Sequence, residues 1–187
     1  MKRVLLHVCC ANCAIYPIQS LTDRQIDILG FFYNPNIQPY EEYRRRLEAA
    51  ESFFRSQELR LIVQDEYDLE GFLRDVVFRE ENRCPYCYHR RLERTARVAK
   101  KSGFDAFTTT LLYRRHQRHE LIKEIGESLG RELGVPFHYE DFREGWKEGI
   151  AASKRMNLYR QAYCGCVYSE KERYLGRGKG QTKRSTI

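Results

Sequence analysis

Short apolar runs alternate along the chain with longer segments in which apolar residues recur every three or four positions. The short runs have the length and the β-rich composition of buried parallel strands, and the longer segments have the period of helices that pack on one side. The predicted strands are residues 3–8, 26–33, 59–63, 105–109 and 136–139, and the predicted helices are about 14–22, 40–57, 85–102 and 117–133. This alternation predicts an α/β fold, a single Rossmann-like domain with a mostly parallel sheet and helices on both faces.

The size and composition of the chain fit one globular domain. With 187 residues it can bury a core of its own but is too short for two ordinary domains. A hydrophobic share of 42% and a charged share of 32% exclude a disordered or low-complexity protein. No apolar run reaches the roughly 20 residues of a membrane helix, and the apolar start is too short for a signal peptide. We therefore expect a cytoplasmic protein that has no membrane association.

Positive charge is concentrated at the end of the chain. Residues 1–150 carry 24 basic and 24 acidic residues, whereas residues 151–187 carry nine and two, which accounts for the whole net charge of +7. A basic segment of this kind favours a polyanion such as RNA, or it keeps a protein in solution, and position alone does not decide between the two. The domain is predicted to span residues 1–175, and residues 176–187 are predicted to form a basic, flexible tail.

Seven cysteines stand in three tight groups separated by more than 70 residues: Cys9, Cys10 and Cys13, then Cys84 and Cys87, then Cys164 and Cys166. Cysteines that only fill core positions would be scattered. Disulfides are disfavoured because the number is odd and the cytoplasm is reducing. A single structural zinc site needs four ligands and would leave three thiols over. Seven can be divided into four ligands for a 4Fe-4S cube and three for a second metal with an open position.

Local sequence places these cysteines at turns. The first group follows a predicted strand and precedes a predicted helix, which is where open α/β folds bind ligands. Pro85 suits the first turn of a helix, so Cys84 and Cys87 would lie beside unpaired backbone N–H groups that favour a thiolate. Gly165 lets the backbone turn tightly between the last two cysteines. We expect the three groups to converge at the carboxyl edge of the strands.

Several stretches occur together in one order: His7-Val8-Cys9-Cys10-Ala11-Asn12-Cys13, Phe32-Tyr33-Asn34-Pro35-Asn36-Ile37, Glu42-Tyr43-Arg44 with Arg46-Leu47, Arg83-Cys84 with Cys87 and Arg91-Leu92-Glu93, Phe107-Thr108-Thr109-Thr110-Leu111-Leu112, Gln117 with His119-Glu120, Asp141-Phe142-Arg143, and Tyr159-Arg160-Gln161 before Tyr163-Cys164-Gly165-Cys166. Each stretch by itself is weak evidence for a family, but the order and spacing of all of them are highly specific. In this order, from residue 3 to about residue 174, the sequence resembles the QueH-type epoxyqueuosine reductases.

The resemblance implies a reaction and a set of cofactors. The reaction is the reductive removal of the epoxide oxygen of epoxyqueuosine at the wobble position of tRNA, which gives queuosine. The family is similar in fold to Rossmann-like nucleotide hydrolases and holds a 4Fe-4S cluster beside a second, mononuclear iron, or zinc in purified protein. Some members have a carboxylate where this chain has Cys13, which assigns Cys13 to the mononuclear metal. This chain departs from the family at residues 113–116, so substrate contacts that the family makes there do not transfer.

Site residues follow from the same resemblance. All seven cysteines are predicted to bind metal, and Asp141 is favoured as proton donor by its motif, with His7, His119 and Tyr163 as alternatives. The residues predicted to contact substrate or tRNA are Asn34, Asn36, Tyr43, Arg44, Arg46, Thr109, Gln117, Arg143, Arg160 and Gln161. The arginines of this set, apart from Arg143, and the basic tail are the expected phosphate contacts.

Reduction also requires a source of electrons, for which a ferredoxin or a flavodoxin is the expected partner, and no oligomer is predicted. Two other classes of protein remain open: an iron-sulfur or zinc protein that binds RNA without reducing it, and a tRNA-thiolating ATPase on a similar fold. The ATPase should carry a glycine-rich phosphate loop after its first strand, and this chain has Cys-Cys-Ala-Asn-Cys there. Conversion of epoxyqueuosine to queuosine in tRNA would distinguish a reductase from a metal protein that only binds RNA.

Overall fold

A four-stranded parallel sheet forms the centre of the computed structural model, which describes residues 2–176. Its strands are β1 (Arg3–His7), β2 (Asp27–Phe32), β3 (Leu61–Val63) and β4 (Ala106–Thr109), in the order β3-β2-β1-β4. Within the described range the α-helices are α1 (Ala11–Asp23), α2 (Tyr40–Ser56), α3 (Leu69–Val76), α4 (Cys84–Lys101), α5 (His119–Leu133), α6 (Trp146–Arg155) and α7 (Val167–Leu175). Short 3-10 helices cover Glu80–Asn82, Thr110–Tyr113 and Phe142–Gly145.

The strand order explains why helices cover both faces of the sheet. The chain runs from β1 through α1 to β2, and through α2 to β3, in one direction along the sheet, and α4 then carries it back to β4. Because crossovers between parallel strands are right-handed, helices on the outward and return paths lie on opposite faces. The contacts agree, since α1 packs against α2 and β2, whereas α4 packs against α5, β1 and β4. The predicted Rossmann-like α/β fold is therefore confirmed.

The predicted strand at residues 136–139 is wrong. Only a single parallel bridge forms there, between Phe107 of β4 and Phe137. The Phe107 N–H donates to the Pro136 carbonyl at 3.0 Å, and the His138 N–H donates to the Phe107 carbonyl at 2.8 Å. Pro136 has no N–H of its own to offer β4, which limits the ladder at the start of the segment. The other four predicted strands are confirmed within two residues at each end, whereas α3, α6 and α7 were not predicted.

The ends of two neighbouring strands position the site. His7 of β1 is paired with Thr109 of β4, so the carboxyl ends of these strands are level. Cys9 and Thr110 come shortly after the two ends, and the Cys9 N–H donates to the Thr110 hydroxyl at 3.0 Å. The register of the sheet therefore fixes where the first cysteine group lies, at the edge where parallel sheets bind ligands.

Two predictions concern the membrane and the end of the chain. Among residues 2–176, no helix combines the length and the apolar character needed to cross a bilayer. Apart from Gly176, the predicted tail at residues 176–187 lies outside the described residues. The division into a domain and a basic tail therefore stays a prediction.

Candidate metal centre

Three cysteines form a compact group, called the triad below, at the carboxyl end of β1. Cys9 and Cys10 lie in the turn after the strand, and Cys13 lies in the first turn of α1. All three are buried free thiols whose sulfurs lie within 4.8 Å of one another, and the Cys9 and Cys10 sulfurs are 3.9 Å apart. Metal–sulfur bonds of about 2.3 Å would place tetrahedral sulfurs roughly 3.8 Å apart. The triad therefore has the dimensions and the donor chemistry for one thiophilic metal ion.

The electrostatics of the triad favour one thiolate among the three sulfurs. Burial opposes ionisation of Cys10, but hydrogen bonds from the Cys13 and Cys9 thiols, together with the charges of Arg114 and Arg46, lower its pKa well below the usual range. The same thiol–thiol hydrogen bonds raise the pKa of Cys13. A metal ion that binds here would displace the remaining thiol protons.

Polar side chains around the triad direct donors at its sulfurs. The Thr110 hydroxyl donates to the Cys9 sulfur at 3.2 Å, and the Gln161 side-chain amide donates to the Cys10 sulfur at 2.9 Å. Asn12 holds Gln161 in turn, because its Nδ2 donates to the Gln161 Oε1 at 3.0 Å. Such donors fix the orientation of metal ligands and stabilise their negative charge.

The other four cysteines, called the four-cysteine set below, surround a separate cavity. Cys84 and Cys87 lie in the first turn of α4, and Cys164 and Cys166 lie in the loop that leads into α7. All four line a cavity of about 960 Å³. Among the described residues, only the three sulfurs of the triad all lie within 4.8 Å of one another. The sulfurs of the four-cysteine set are therefore spread more widely than those of the triad. A group larger than one ion, such as a cube with four cysteine ligands, fits this donor set.

Two nitrogen donors converge on Cys87. The Asn36 Nδ2 lies 3.1 Å and the Arg91 Nη2 lies 2.7 Å from the Cys87 sulfur. Burial raises the pKa of the Cys87 thiol to about 12, and the Arg91 guanidinium acts in the opposite direction. A metal that replaces the proton would meet a sulfur that already accepts two hydrogen bonds.

The loop that carries Cys164 is held by Arg46 of α2, which is only 2% exposed. Its Nη1 donates to the Cys164 carbonyl at 2.6 Å, and its Nη2 donates to the Tyr163 carbonyl at 3.1 Å. Its Nε pairs with the buried Glu42 carboxylate at 2.6 Å. In this structure the guanidinium is buried and its bonds position a cysteine loop, so the predicted contact of Arg46 with phosphate stays a prediction.

A second cavity, of about 560 Å³, opens onto the triad. Its walls include Cys13, Arg114, Trp146, Arg160 and Gln161. It adjoins the larger cavity, because Gln117 and Cys164 line both. The Gln117 Nε2 donates to the Cys164 sulfur at 3.3 Å, so this side chain stands where the two cavities meet.

Arg114 brings an unpaired positive charge to the smaller cavity. Its guanidinium makes no hydrogen bond or ion pair with any residue between 2 and 176. Burial opposes its charge, but the thiols of Cys13 and Cys10 raise its pKa by more, so it stays protonated. A cation beside thiols, with free donors facing a cavity, can bind an anion or stabilise a developing oxyanion.

The ten residues predicted to contact substrate or tRNA lie in different surroundings. Four of them, Asn36, Gln117, Arg160 and Gln161, line the cavities. Arg44 is exposed on α2 but is paired with Glu41 and Glu48 on the same helix. For all of these a contact with tRNA stays a prediction.

Three more of the ten are buried and serve the fold. The Asn34 Nδ2 donates to the Val8 carbonyl at 2.9 Å, and the Tyr43 hydroxyl donates to Asp65 at 2.8 Å. The Thr109 hydroxyl is bonded to the His7 ring at 2.8 Å. These side chains are at most 1% exposed, so the structure gives them a role in the fold, and contact with substrate or tRNA stays a prediction.

The predicted proton donor Asp141 lies at the start of the 3-10 helix Phe142–Gly145. Its carboxylate accepts from the Arg143 backbone N–H at 3.0 Å and from the Arg143 guanidinium at 2.7 and 2.5 Å. The hydrogen bonds from Arg143 lower the pKa of Asp141. Neither residue lines the two cavities. The role of Asp141 as proton donor and the contact of Arg143 with substrate both stay predictions. In the structure, Asp141 caps the start of this 3-10 helix by accepting from the Arg143 N–H.

The alternative proton donors are placed as follows. Burial, with help from Arg91, lowers the pKa of His7 to about 4, so this histidine is neutral at physiological pH. Burial also lowers the pKa of His119. Tyr163 lines the smaller cavity, but its hydroxyl donates to the Gln38 carbonyl at 2.7 Å. Of the three, Tyr163 is therefore the one that borders a cavity lined by cysteines.

Sequence reasoning missed Arg91, Arg114 and Trp146 as site residues. Arg91 stands in one of the motif stretches, four residues after Cys87, and that helical spacing was the available signal. Arg114 lies where the chain departs from the family pattern, and nothing in the sequence shows that it faces the triad. Trp146 reaches the smaller cavity through α6, which was not predicted.

Fold and site together define a Rossmann-like α/β protein in which seven cysteines form two adjoining thiol sites. The chain belongs to the epoxyqueuosine reductase QueH family, whose model matches residues 4–172. This confirms the prediction of the family and of an oxidoreductase in queuosine biosynthesis. Because the match covers nearly the whole described chain, family membership does not depend on a single motif.

Two relatives with this name match over most of their own length. The epoxyqueuosine reductase QueH of Dehalococcoides mccartyi is 36% identical over 172 residues, which cover 92% of this chain and 94% of that protein. The Thermotoga maritima protein of the same name is 38% identical, with 92% and 93% covered. A solved structure, the U34-tRNA thiolase NcsA from Methanococcus maripaludis with its [4Fe-4S] cluster, aligns with a TM-score of 0.44 and 13% identity over 95% of this chain and 82% of that one. That structural likeness is too low to bear on cofactor or substrate.

Proposed function

We propose that the chain reduces epoxyqueuosine in tRNA to queuosine, with a 4Fe-4S cluster on the four-cysteine set and a mononuclear metal on the triad. The observation that supports this most is the separation of the cysteines into three sulfurs spaced for one ion and four around a wider cavity. It matches the division into three and four that the cysteine count suggests. The relatives that carry the same family name are named for this reaction.

The chemistry requires electrons and protons from outside the substrate. Removal of the epoxide oxygen as water consumes two electrons and two protons and leaves a carbon–carbon double bond. When bound, the cluster and the metal would supply single electrons and a Lewis acid. The electrons would come from a small one-electron carrier, for which a ferredoxin or a flavodoxin is the proposed class.

The smaller cavity is the proposed substrate site because Cys13 of the triad lies in its wall. The aromatic ring of Trp146 lines this cavity, and an aromatic wall suits a base taken out of the anticodon stack. Arg114 has unpaired donors in the same cavity, and they would hydrogen-bond the epoxide oxygen and stabilise the negative charge that develops on it. Gln161 keeps its position beside Cys10 and would hold the metal ligand while the base binds.

Contacts with tRNA phosphates are proposed for the rim of this cavity. Arg160 is exposed and lines the cavity, so it can reach a phosphate next to a bound base. Arg44 and the basic residues of the tail extend the proposed positive surface, although the tail lies outside the described residues. A tRNA substrate is the reason for proposing a cytoplasmic location, and a monomer is proposed as the active form.

The direct test is turnover of modified tRNA. Anaerobically reconstituted, reduced protein is expected to convert epoxyqueuosine in tRNA to queuosine, read as the loss of one oxygen mass in the digested nucleosides. Protein without metal and protein without reductant are the controls, and both should leave the nucleoside unchanged. Loaded and reduced protein that binds the tRNA but gives no queuosine would favour the alternative, a metal protein that binds RNA without reducing it.

Arg114→Gln is expected to lower kcat by about a hundredfold, because it removes the charged donor proposed for the developing oxyanion. Metal and sulfide content and tRNA affinity should stay near those of the wild type. Arg131→Gln, which removes an equal charge from an exposed position on α5, is the matched control. The measurement is steady-state kinetics of the proteins loaded with metal and cluster. A wild-type kcat in Arg114→Gln would show that Arg114 does not take part in the mechanism.

A further inference from the structure

Arg91 is a buried cation that no carboxylate balances. The other buried arginines are paired with carboxylates, Arg46 with Glu42 and Arg83 with Glu172, each at 2.6 Å. Arg91 is 3% exposed, yet no Asp or Glu among residues 2–176 lies within ion-pair distance of it. Since an unbalanced buried charge costs free energy, its partner must be sought among other groups.

That partner is the sulfur of Cys87, one turn earlier on α4. Three contacts aim the guanidinium: Nε donates to the Cys87 carbonyl at 3.1 Å, Nη1 to the Asn34 Oδ1 at 3.3 Å, and Nη2 to the Cys87 sulfur at 2.7 Å. The planar guanidinium fork makes all three bonds at once, whereas the single ammonium of a lysine would lose the geometry. Asn34 is fixed in turn by the Val8 carbonyl, so the arrangement is rigid.

The charge of Arg91 acts on cysteines of both thiol sites. Its charge interacts most strongly with Cys87 and then with Cys164 of the four-cysteine set and with Cys9 of the triad. Asn36 adds a second, uncharged donor to the Cys87 sulfur at 3.1 Å. Of the four cysteines in the set, Cys87 is therefore the one that accepts both a charged and a neutral hydrogen bond.

Hydrogen bonds to the sulfurs of an iron-sulfur cluster, and positive charge beside it, stabilise the more negative, reduced state and raise the reduction potential. We propose that Arg91 is a positioning residue that sets the reduction potential of the cluster through its hydrogen bond to the Cys87 sulfur. This inference rests on the proposed function, because it takes the four-cysteine set as the ligands of the cluster. Its effect is on the ease with which the cluster accepts an electron from its donor.

The test is a potentiometric titration of the loaded protein, followed by electron paramagnetic resonance. Wild type, Arg91→Gln and Arg91→Lys are compared after their iron and sulfide contents have been measured. Arg91→Gln is expected to shift the midpoint potential to more negative values, and Arg91→Lys, which keeps the charge, is expected to shift it less. Arg97→Gln removes the same charge from an exposed position on the same helix and should leave the midpoint unchanged.

Asn36→Leu removes the neutral donor from the same sulfur, so a smaller shift in the same direction is expected. If Arg91→Gln does not hold the cluster, the midpoint potentials of Asn36→Leu and Arg91→Lys test the proposal. A wild-type midpoint in any loaded Arg91 variant would overturn the proposal, as would an equal shift in Arg97→Gln. If the variants show these shifts and loaded wild type does not convert epoxyqueuosine, the proposed function alone is contradicted.

Discussion

Replacement of Cys87 by alanine is expected to abolish both the cube and the reductase activity, whereas replacement of Cys13 is expected to remove only the second metal. Cys87 is buried among the four-cysteine set, and a cube that loses one of four protein ligands in this cavity is exposed to loss from the protein. Cys13 belongs to the compact triad, whose sulfurs lie within 4.8 Å of one another. With two sulfurs left, the triad no longer provides three ligands for a metal with one open position.

The measurement is the metal and sulfide content of anaerobically reconstituted protein, together with turnover of epoxyqueuosine in tRNA. Wild type should contain about four sulfides and about four cube irons, plus one further iron or zinc. Cys87→Ala should lose nearly all sulfide. Cys13→Ala should keep the sulfide, lose about one metal, and lose at least about a hundredfold in turnover.

Ser56→Ala, at the far end of α2, is a control of similar size that touches neither site. Two results would contradict the assignment. Loss of sulfide in Cys13→Ala would assign the triad to the cube. Retention of full sulfide in Cys87→Ala would exclude Cys87 as a cube ligand.

The division of the seven cysteines into groups of four and three was predictable from their number, but the membership of each group was only partly predictable. The triad is continuous in sequence, so its position follows from the turn after β1. The four-cysteine set joins residues 84 and 87 to residues 164 and 166, and that pairing depends on how the last loop packs. The loop is held from α2, by a side chain that no local pattern connects to it.

The run of three arginines in α2 shows that a basic cluster in the sequence need not form a basic surface. Its residues appear in sequence as a basic cluster, and both Arg44 and Arg46 were predicted to contact tRNA. The helical period separates them, because Arg46 lies on the same side as the buried Tyr43, Ala50 and Phe53. Arg44 is on the opposite, solvated side. The period was therefore the signal that could have assigned Arg46 to the interior.

The same reasoning applies to α4, where Arg91 belongs to the buried face with Cys87, Leu92 and Ala96. A charged residue on a buried face requires a partner, but the sequence does not identify it. Only the arrangement in space shows that the partner is a thiol sulfur. The spacing of four residues to Cys87 was a signal for this contact, whereas the contact of Arg91 with Asn34 could not be found from spacing.

Arg46→Met is expected to destabilise the protein by about 3–5 kcal/mol, because it breaks a buried ion pair and leaves the Glu42 carboxylate without its partner. It also frees the Cys164 and Tyr163 carbonyls from the donors that fix the loop. A loss of this size is a large part of the total stability of a typical domain. Equilibrium unfolding in urea, under anaerobic conditions, measures it.

Arg44→Met is the matched control, since it removes the same charge from the exposed side of the same helix and should leave stability unchanged. Combining Glu42→Gln with Arg46→Met should recover part of the loss, because no unpaired buried carboxylate remains. If Arg46 instead contacted phosphate, Arg46→Met would unfold like the wild type and would weaken tRNA binding. The two outcomes are opposite in both measurements, so the experiment separates a residue that positions Cys164 from one that binds RNA.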